Sequence, residues 1–173
     1  DFEYADIQAG IGTPHAVYAE FTADETLLVR AEAQALLGHY AEALNDLNTE
    51  LAAFSREGVQ LTLDDVKKFY SDDVTAYYTP EKPTPRKAFH TTFAISKDTE
   101  EPMLQCILHL RRIMTIHEGL RMQDVKRYGI TIYRRDVQSN YKITGITDTM
   151  EARDPRLAIQ LPQDVITAGV TPN

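Results

Sequence analysis

The spacing of apolar residues changes several times along this chain, and the changes divide it. Over residues 1–22 aromatic and small residues are scattered without a sustained period and interrupted by Gly10, Gly12 and Pro14, so this stretch reads as loop and short extended pieces. From Thr22 the pattern turns helical. Leu27, Leu28, Ala31 and Ala35 fall on one face, Thr22 or Asp24 can cap, and Glu25 suits the positive helix end, which predicts a helix over 25–37. Gly38 stops it, and a second helix over 41–55 follows with the stripe Leu44, Leu47, Leu51 and Phe54. Residues 59–98 lose the period. A short helix fits 63–70, Pro80, Pro83 and Pro85 then impose irregular backbone, and a brief strand fits Phe89, Phe93 and Ile95. The longest helix is predicted over 99–117, with Glu100 and Glu101 in its first turn. Its apolar residues, from Met103 to Ile116, cover more than one face, so it should be central. A shorter helix over 120–127 stops at Gly129. Residues 130–135 can be extended, and the tail from 154 is proline-bounded loop with one turn near 163–166.

The first two helices should form a tight antiparallel pair with Leu28, Ala31, Leu44 and Leu47 at the seam. The turn between them has its own chemistry: Gly38 reverses the chain without a Cβ clash, Tyr40 fills the wedge, and Ala43 lets the backbones approach. The run from Leu37 to Leu44 resembles the central turn of a tetratricopeptide repeat, although no second copy recurs at a period of about 34 residues.

Composition narrows the function classes. With 173 residues and 43% hydrophobic content the chain can bury one sizeable core. A formal charge of −8, from 18 Lys+Arg against 26 Asp+Glu, opposes general attraction to nucleic acid or anionic lipid. Basic residues gather between Arg111 and Arg135, but Glu118, Asp124 and Asp136 interrupt them, which suggests internal pairing. Cys106 is the one cysteine and sits among Leu104, Ile107 and Leu108 as a small buried hydrophobe, so no disulfide framework or cysteine zinc cluster can form. No apolar run reaches the roughly 18 to 20 residues that span a bilayer. The chain begins Asp1-Phe2-Glu3-Tyr4 without an initiator methionine, and we expect it to be a piece of something longer.

Catalytic motifs are fragmentary. Gly10-Ile11-Gly12 lacks the third glycine and the preceding strand of a dinucleotide fingerprint. In His117-Glu118-x-x-Arg121 an arginine stands where a zinc protease needs its second histidine. No serine lies in a Gly-x-Ser-x-Gly elbow, and the adjacent acids Asp64/Asp65 and Asp72/Asp73 point in different directions on a helix. Neither an enzyme nor a metal or other cofactor is expected. Glu118, Arg121 and Asp124 at i, i+3, i+6 can place one guanidinium between two carboxylates, and this clasp is expected to tie the long helix to the next one.

Two segments carry a family resemblance. The first runs from Ile107-Leu108-His109-Leu110-Arg111-Arg112-Ile113 into His117-Glu118-Gly119-Leu120-Arg121 and Asp124-Val125-Lys126-Arg127-Tyr128-Gly129. The second is Asp154-Pro155-Arg156-Leu157-Ala158 with Leu161-Pro162-Gln163-Asp164-Val165-Ile166. They resemble the C-terminal signature of the SusD/RagB family of outer-membrane nutrient-binding lipoproteins, in which paired arginines lead into a Glu-Gly-x-Arg turn and an Asp-Leu-x-Arg-Trp-Gly segment. Met122 and Tyr128 stand where the family commonly places aromatics such as Phe or Trp, and the lipid-accepting N-terminal cysteine of the family has no counterpart here.

The resemblance implies a mostly α fold of tetratricopeptide-like helix pairs in an α-α superhelix, with irregular loop excursions and little β. Residues 1–173 would be a single C-terminal lobe, divided into a helix pair (25–56), an excursion (59–98) and the family signature (99–173). It also implies a surface lipoprotein that passes an oligosaccharide or peptide to a SusC-like TonB-dependent transporter. The aromatic, proline-stiffened excursion nominates Tyr77, Tyr78 and Arg86 as ligand contacts, or as rings that close the core beneath an irregular cover. The rival reading is a tetratricopeptide-type interaction adaptor, which the Gly38-Tyr40-Ala43 turn alone would support.

Overall fold

The computed structural model describes residues 2–14 and 21–172, so the expectation of loop over 1–22 lies partly outside the described residues. Within them, β1 (Phe2–Asp6) and β2 (Ile11–Pro14) form an antiparallel hairpin, with a register shift between Tyr4 and Asp6. Then come α1 (Ala23–Leu36), α2 (Tyr40–Phe54), α3 (Leu63–Phe69), α4 (Glu100–Met114) and α5 (Arg121–Tyr128). A second antiparallel hairpin, β3 (Ile132–Val137) with β4 (Ile143–Met150), precedes a 3-10 turn (Pro155–Leu157) and α6 (Gln163–Thr167).

This architecture corrects the expected fold class. The described residues form a mixed α/β arrangement of six α-helices and two two-stranded antiparallel sheets, not a helix-dominated superhelix. The cause lies in residues 132–150. Ile132, Val137, Ile143, Thr144, Ile146, Thr147 and Thr149 are β-branched, lose rotamer freedom in a helix and pack well on a pleated strand.

The first helix pair follows its local signals. Thr22 caps α1 by accepting from the Glu25 amide at 3.1 Å. Gly38 adopts φ +79°, and the His39 amide closes the helix end on the Gln34 carbonyl at 2.9 Å. Leu28, Ala31, Ala43 and Leu47 are fully buried, while Leu44 is half-buried at the rim of the seam. The pair rests on α4, which packs against α1, α2 and α3. Residues 101–108 of α4 are all buried, as its many-sided apolar pattern requires.

The excursion between α3 and α4 contains no strand. Its backbone is tied down by side chains instead. The Gln105 carboxamide pairs with both backbone polar groups of Lys87, accepting from N at 2.9 Å and donating to O at 2.5 Å. Further on, the His90 amide donates to the Tyr128 carbonyl at 2.8 Å. Asn48 does the same for the α2–α3 connection, bonding Leu61 N at 2.7 Å and Leu61 O at 2.9 Å. These bonds satisfy backbone groups that no neighbouring strand reaches.

Candidate functional site

α3, the turn after it and the start of α4 enclose a polar cleft of about 580 Å3, within the size range of small-ligand sites. Asp64, Lys67 and Lys68 project from α3, Asp72 and Asp73 from the turn, and Lys97 and Asp98 from the segment entering α4. A reciprocal cap fixes α3: Thr62 N donates to the Asp65 carboxylate at 2.9 Å, and Asp65 N donates to Thr62 Oγ1 at 3.1 Å. Lys67 Nζ reaches Asp98 Oδ1 at 3.0 Å, and this bond is the first cause holding the Asp98 carboxyl below its usual range.

Beneath the cleft lies a buried ionic network centred on Glu101. Arg86 Nη2 donates to Glu101 Oε1 at 3.0 Å, Lys97 Nζ pairs with Glu101 Oε2 at 2.6 Å, and the Tyr77 hydroxyl donates to Glu101 as well. Arg86 also pairs with Asp72 and donates to Tyr77 Oη at 2.9 Å. Burial alone would raise the Glu101 carboxyl. The bonds from Lys97, Tyr77 and Arg86 outweigh it, and its pKa is lowered. The Arg86 side chain is 3% exposed, and its Nε has no partner among the described residues.

The three nominated contact residues therefore separate. Arg86 lines the cleft from below. Tyr77 lies behind it, with the Arg86 guanidinium 3.9 Å and the Lys97 ammonium 5.1 Å from its ring centroid. Tyr78 faces elsewhere, as neighbours in extended chain must. It stacks on Tyr133 of β3 at 6.0 Å, with Lys87 Nζ 3.4 Å from its ring centroid and Arg135 4.9 Å away. Both rings are half-buried and engaged by neighbouring side chains of the protein.

The expected clasp also lands differently. Arg121 is half-buried and reaches Asp124 Oδ2 at 3.4 Å, but Glu118 is exposed and its carboxylate makes no ion pair among the described residues. Arg111 holds the elements together. Its Nη1 meets Asp124 Oδ1 at 2.9 Å and its Nη2 meets Glu32 Oε2 at 2.6 Å. Glu32 Oε1 then accepts from Tyr128 Oη at 2.6 Å and from Arg127 Nε at 3.0 Å. Gly119 and Gly129 stand at φ +80° and +60°.

The sequence pattern did not single out Glu32 and marked Glu101 only as a first-turn acid of the long helix. A signal was present for Glu32: a carboxylate on the buried stripe of Leu28, Ala31 and Ala35 needs a cation from another element. Among the described residues no group of His, Cys, Asp and Glu could hold a metal ion, and no helix is long and apolar enough to cross a membrane. Comparison with protein-family models, curated proteins and solved structures gave no significant match.

Proposed function

We propose that this chain is the C-terminal portion of a cell-surface nutrient-binding lipoprotein of the SusD/RagB type. In this reading it holds a glycan or peptide for a SusC-like TonB-dependent transporter in the outer membrane, and it catalyses no reaction. One observation carries the proposal. The residues that resemble the family signature are those that join α1, α4 and α5: Arg111 and Asp124 form the central ion pair, Arg127 and Tyr128 complete it at Glu32, and Gly119 and Gly129 take left-handed backbone. A motif with this placement preserves a scaffold, which leaves ligand recognition to surface clefts.

The cleft above Glu101 suits a polar ligand, since carboxylates and ammonium groups alternate around it as acceptors and donors. The adaptor reading fits less well, because α4 packs against both helices of the α1/α2 pair. Glycan-array and peptide-library binding, followed by co-purification with the TonB-dependent transporter, tests the proposal. Lys68→Ala and Asp73→Ala alter exposed cleft residues and should each weaken ligand binding about tenfold at unchanged melting temperature. Absence of both glycan and peptide binding, together with absence of the transporter from the purified complex, would overturn it.

A further inference from the structure

A narrow crevice is lined by Lys87, Gln105, His109, Arg112 and Arg121 over apolar walls that include Phe89 and Ile130. No Asp or Glu lines it. In a chain of net charge −8, this gathering of cationic groups without a facing carboxylate is a local reversal of sign. The groups are also under-used. Arg112 is exposed, and its side chain makes no ion pair or hydrogen bond among the described residues. Lys87 Nζ donates to the Thr84 carbonyl at 2.9 Å and lies 3.4 Å from the Tyr78 ring centroid, but meets no carboxylate. Arg121 has only the long 3.4 Å contact with Asp124, whose other oxygen Arg111 holds at 2.9 Å.

The crowding has a consequence for protons. Burial first, then Arg112 and Arg121, push the Lys87 ammonium down to about 8. His109 is lowered by burial first, then by Arg112, Lys87 and Arg121. His109 Nδ1 lies 2.9 Å from the Tyr70 hydroxyl, whose pKa burial raises, so Tyr70 keeps its proton and can donate it to Nδ1. In the tautomer that accepts this bond the ring hydrogen of neutral His109 sits on Nε2, and that nitrogen is a donor.

We infer that this crevice is a binding site for a single oxyanion, either free or carried as the acidic substituent of a small sugar, with Arg112 and Arg121 as charged donors and Lys87 and His109 completing the cage. Its interior has a volume of about 10 Å3, the room of one water molecule, so one oxygen atom of the anion enters while the rest stays at the mouth. Planar guanidinium groups suit sulfate, phosphate and carboxylate oxygens alike.

NMR titration of the arginine Nε–H and His109 ring signals tests this, using sodium sulfate, glucuronate and glucose as probes and sodium chloride at matched ionic strength as control. Sulfate or glucuronate should move the His109, Arg112 and Arg121 signals saturably, with chloride and glucose inert. Arg112→Gln, at an exposed and unpaired position, should weaken that binding about tenfold without changing the melting temperature. Preference for glucuronate over sulfate assigns the site to an acidic sugar, and the reverse assigns it to a free anion. Shifts equal to those with chloride, or the same saturation curve in Arg112→Gln, would overturn the inference.

Discussion

Arg111 Nη2 lies 2.6 Å from Glu32 Oε2 and joins residues separated by 79 positions, so α1 and α4 are locked at a point that neither helix specifies alone. Both side chains are about nine-tenths buried, at 8% and 10% exposure. A pair this enclosed need not add net stability over an apolar pair, but removing one member strands the other charge. Arg111→Ala should therefore destabilise the protein by roughly 3 to 5 kcal/mol. Arg121→Ala, which loses only a 3.4 Å contact, should cost distinctly less. Urea denaturation of the two variants checks the order; equal losses would return the central role to Arg121.

Acid should weaken the same locks. Burial would raise the Glu32 carboxyl, but bonds from Tyr128 and Arg111 and the charge of Arg127 hold it below its usual range, and Glu101 is lowered in the same way. A carboxyl lowered by folding contributes stability that is complete above its unfolded pKa of about 4.3 and disappears as pH falls through the folded value. The melting temperature should drop below about pH 4. Glu101→Gln, less stable at neutral pH, should show a shallower fall. A parallel profile in the variant would remove Glu101 from the acid transition.

Glu50 should behave in the opposite sense. It is 2% exposed, its Oε1 has no partner among the described residues, and burial first, then the charge of Asp24, raises its pKa. Folding thus favours the neutral form. Glu50→Gln should stabilise the protein by about 1 kcal/mol at pH 7. The gain should shrink as pH is lowered through the raised pKa, because the wild-type carboxyl is then neutral too. Thermal melts of both proteins at pH 7 and at acid pH measure the gap.

Two glycines with left-handed backbone should respond unequally to alanine. At Gly38, φ +79° meets open space, so Gly38→Ala should cost about 1 to 2 kcal/mol for backbone conformation alone. At Gly129, φ +60° coincides with the close approach of the His90 carbonyl, which a Cβ would overlap. Gly129→Ala should cost clearly more and free the excursion from the end of α5, which hydrogen exchange at the His90 amide would register. Matched stabilities would show that the excursion shifts without penalty.

Cys106 should be inert. It is 5% exposed within α4, and burial pushes its thiol up to about 12. A thiol reagent should label it only after denaturation, and labelling of the native protein at the rate of a free thiol would contradict its place in the core.

The sequence alone determined what depends on neighbours along the chain. The Thr22 cap, the Gly38 stop and the apolar stripes placed α1 and α2. The crowded apolar pattern of α4 identified the central helix, and the extended reading of 130–135 anticipated part of β3. These features follow from helix period, capping and backbone freedom, all set within a few residues. Tertiary structure decided the rest. Whether Lys87 to Ser96 became a strand depended on the partner its backbone met, and it met Gln105 and the end of α5. Whether Arg111 or Arg121 became the clasp depended on Glu32, a carboxylate delivered by another helix, and Arg86 entered the cleft floor because Glu101 lay beneath it. An ion pair is fixed by distances in space and by the desolvation that burial imposes, and spacing along the chain encodes neither.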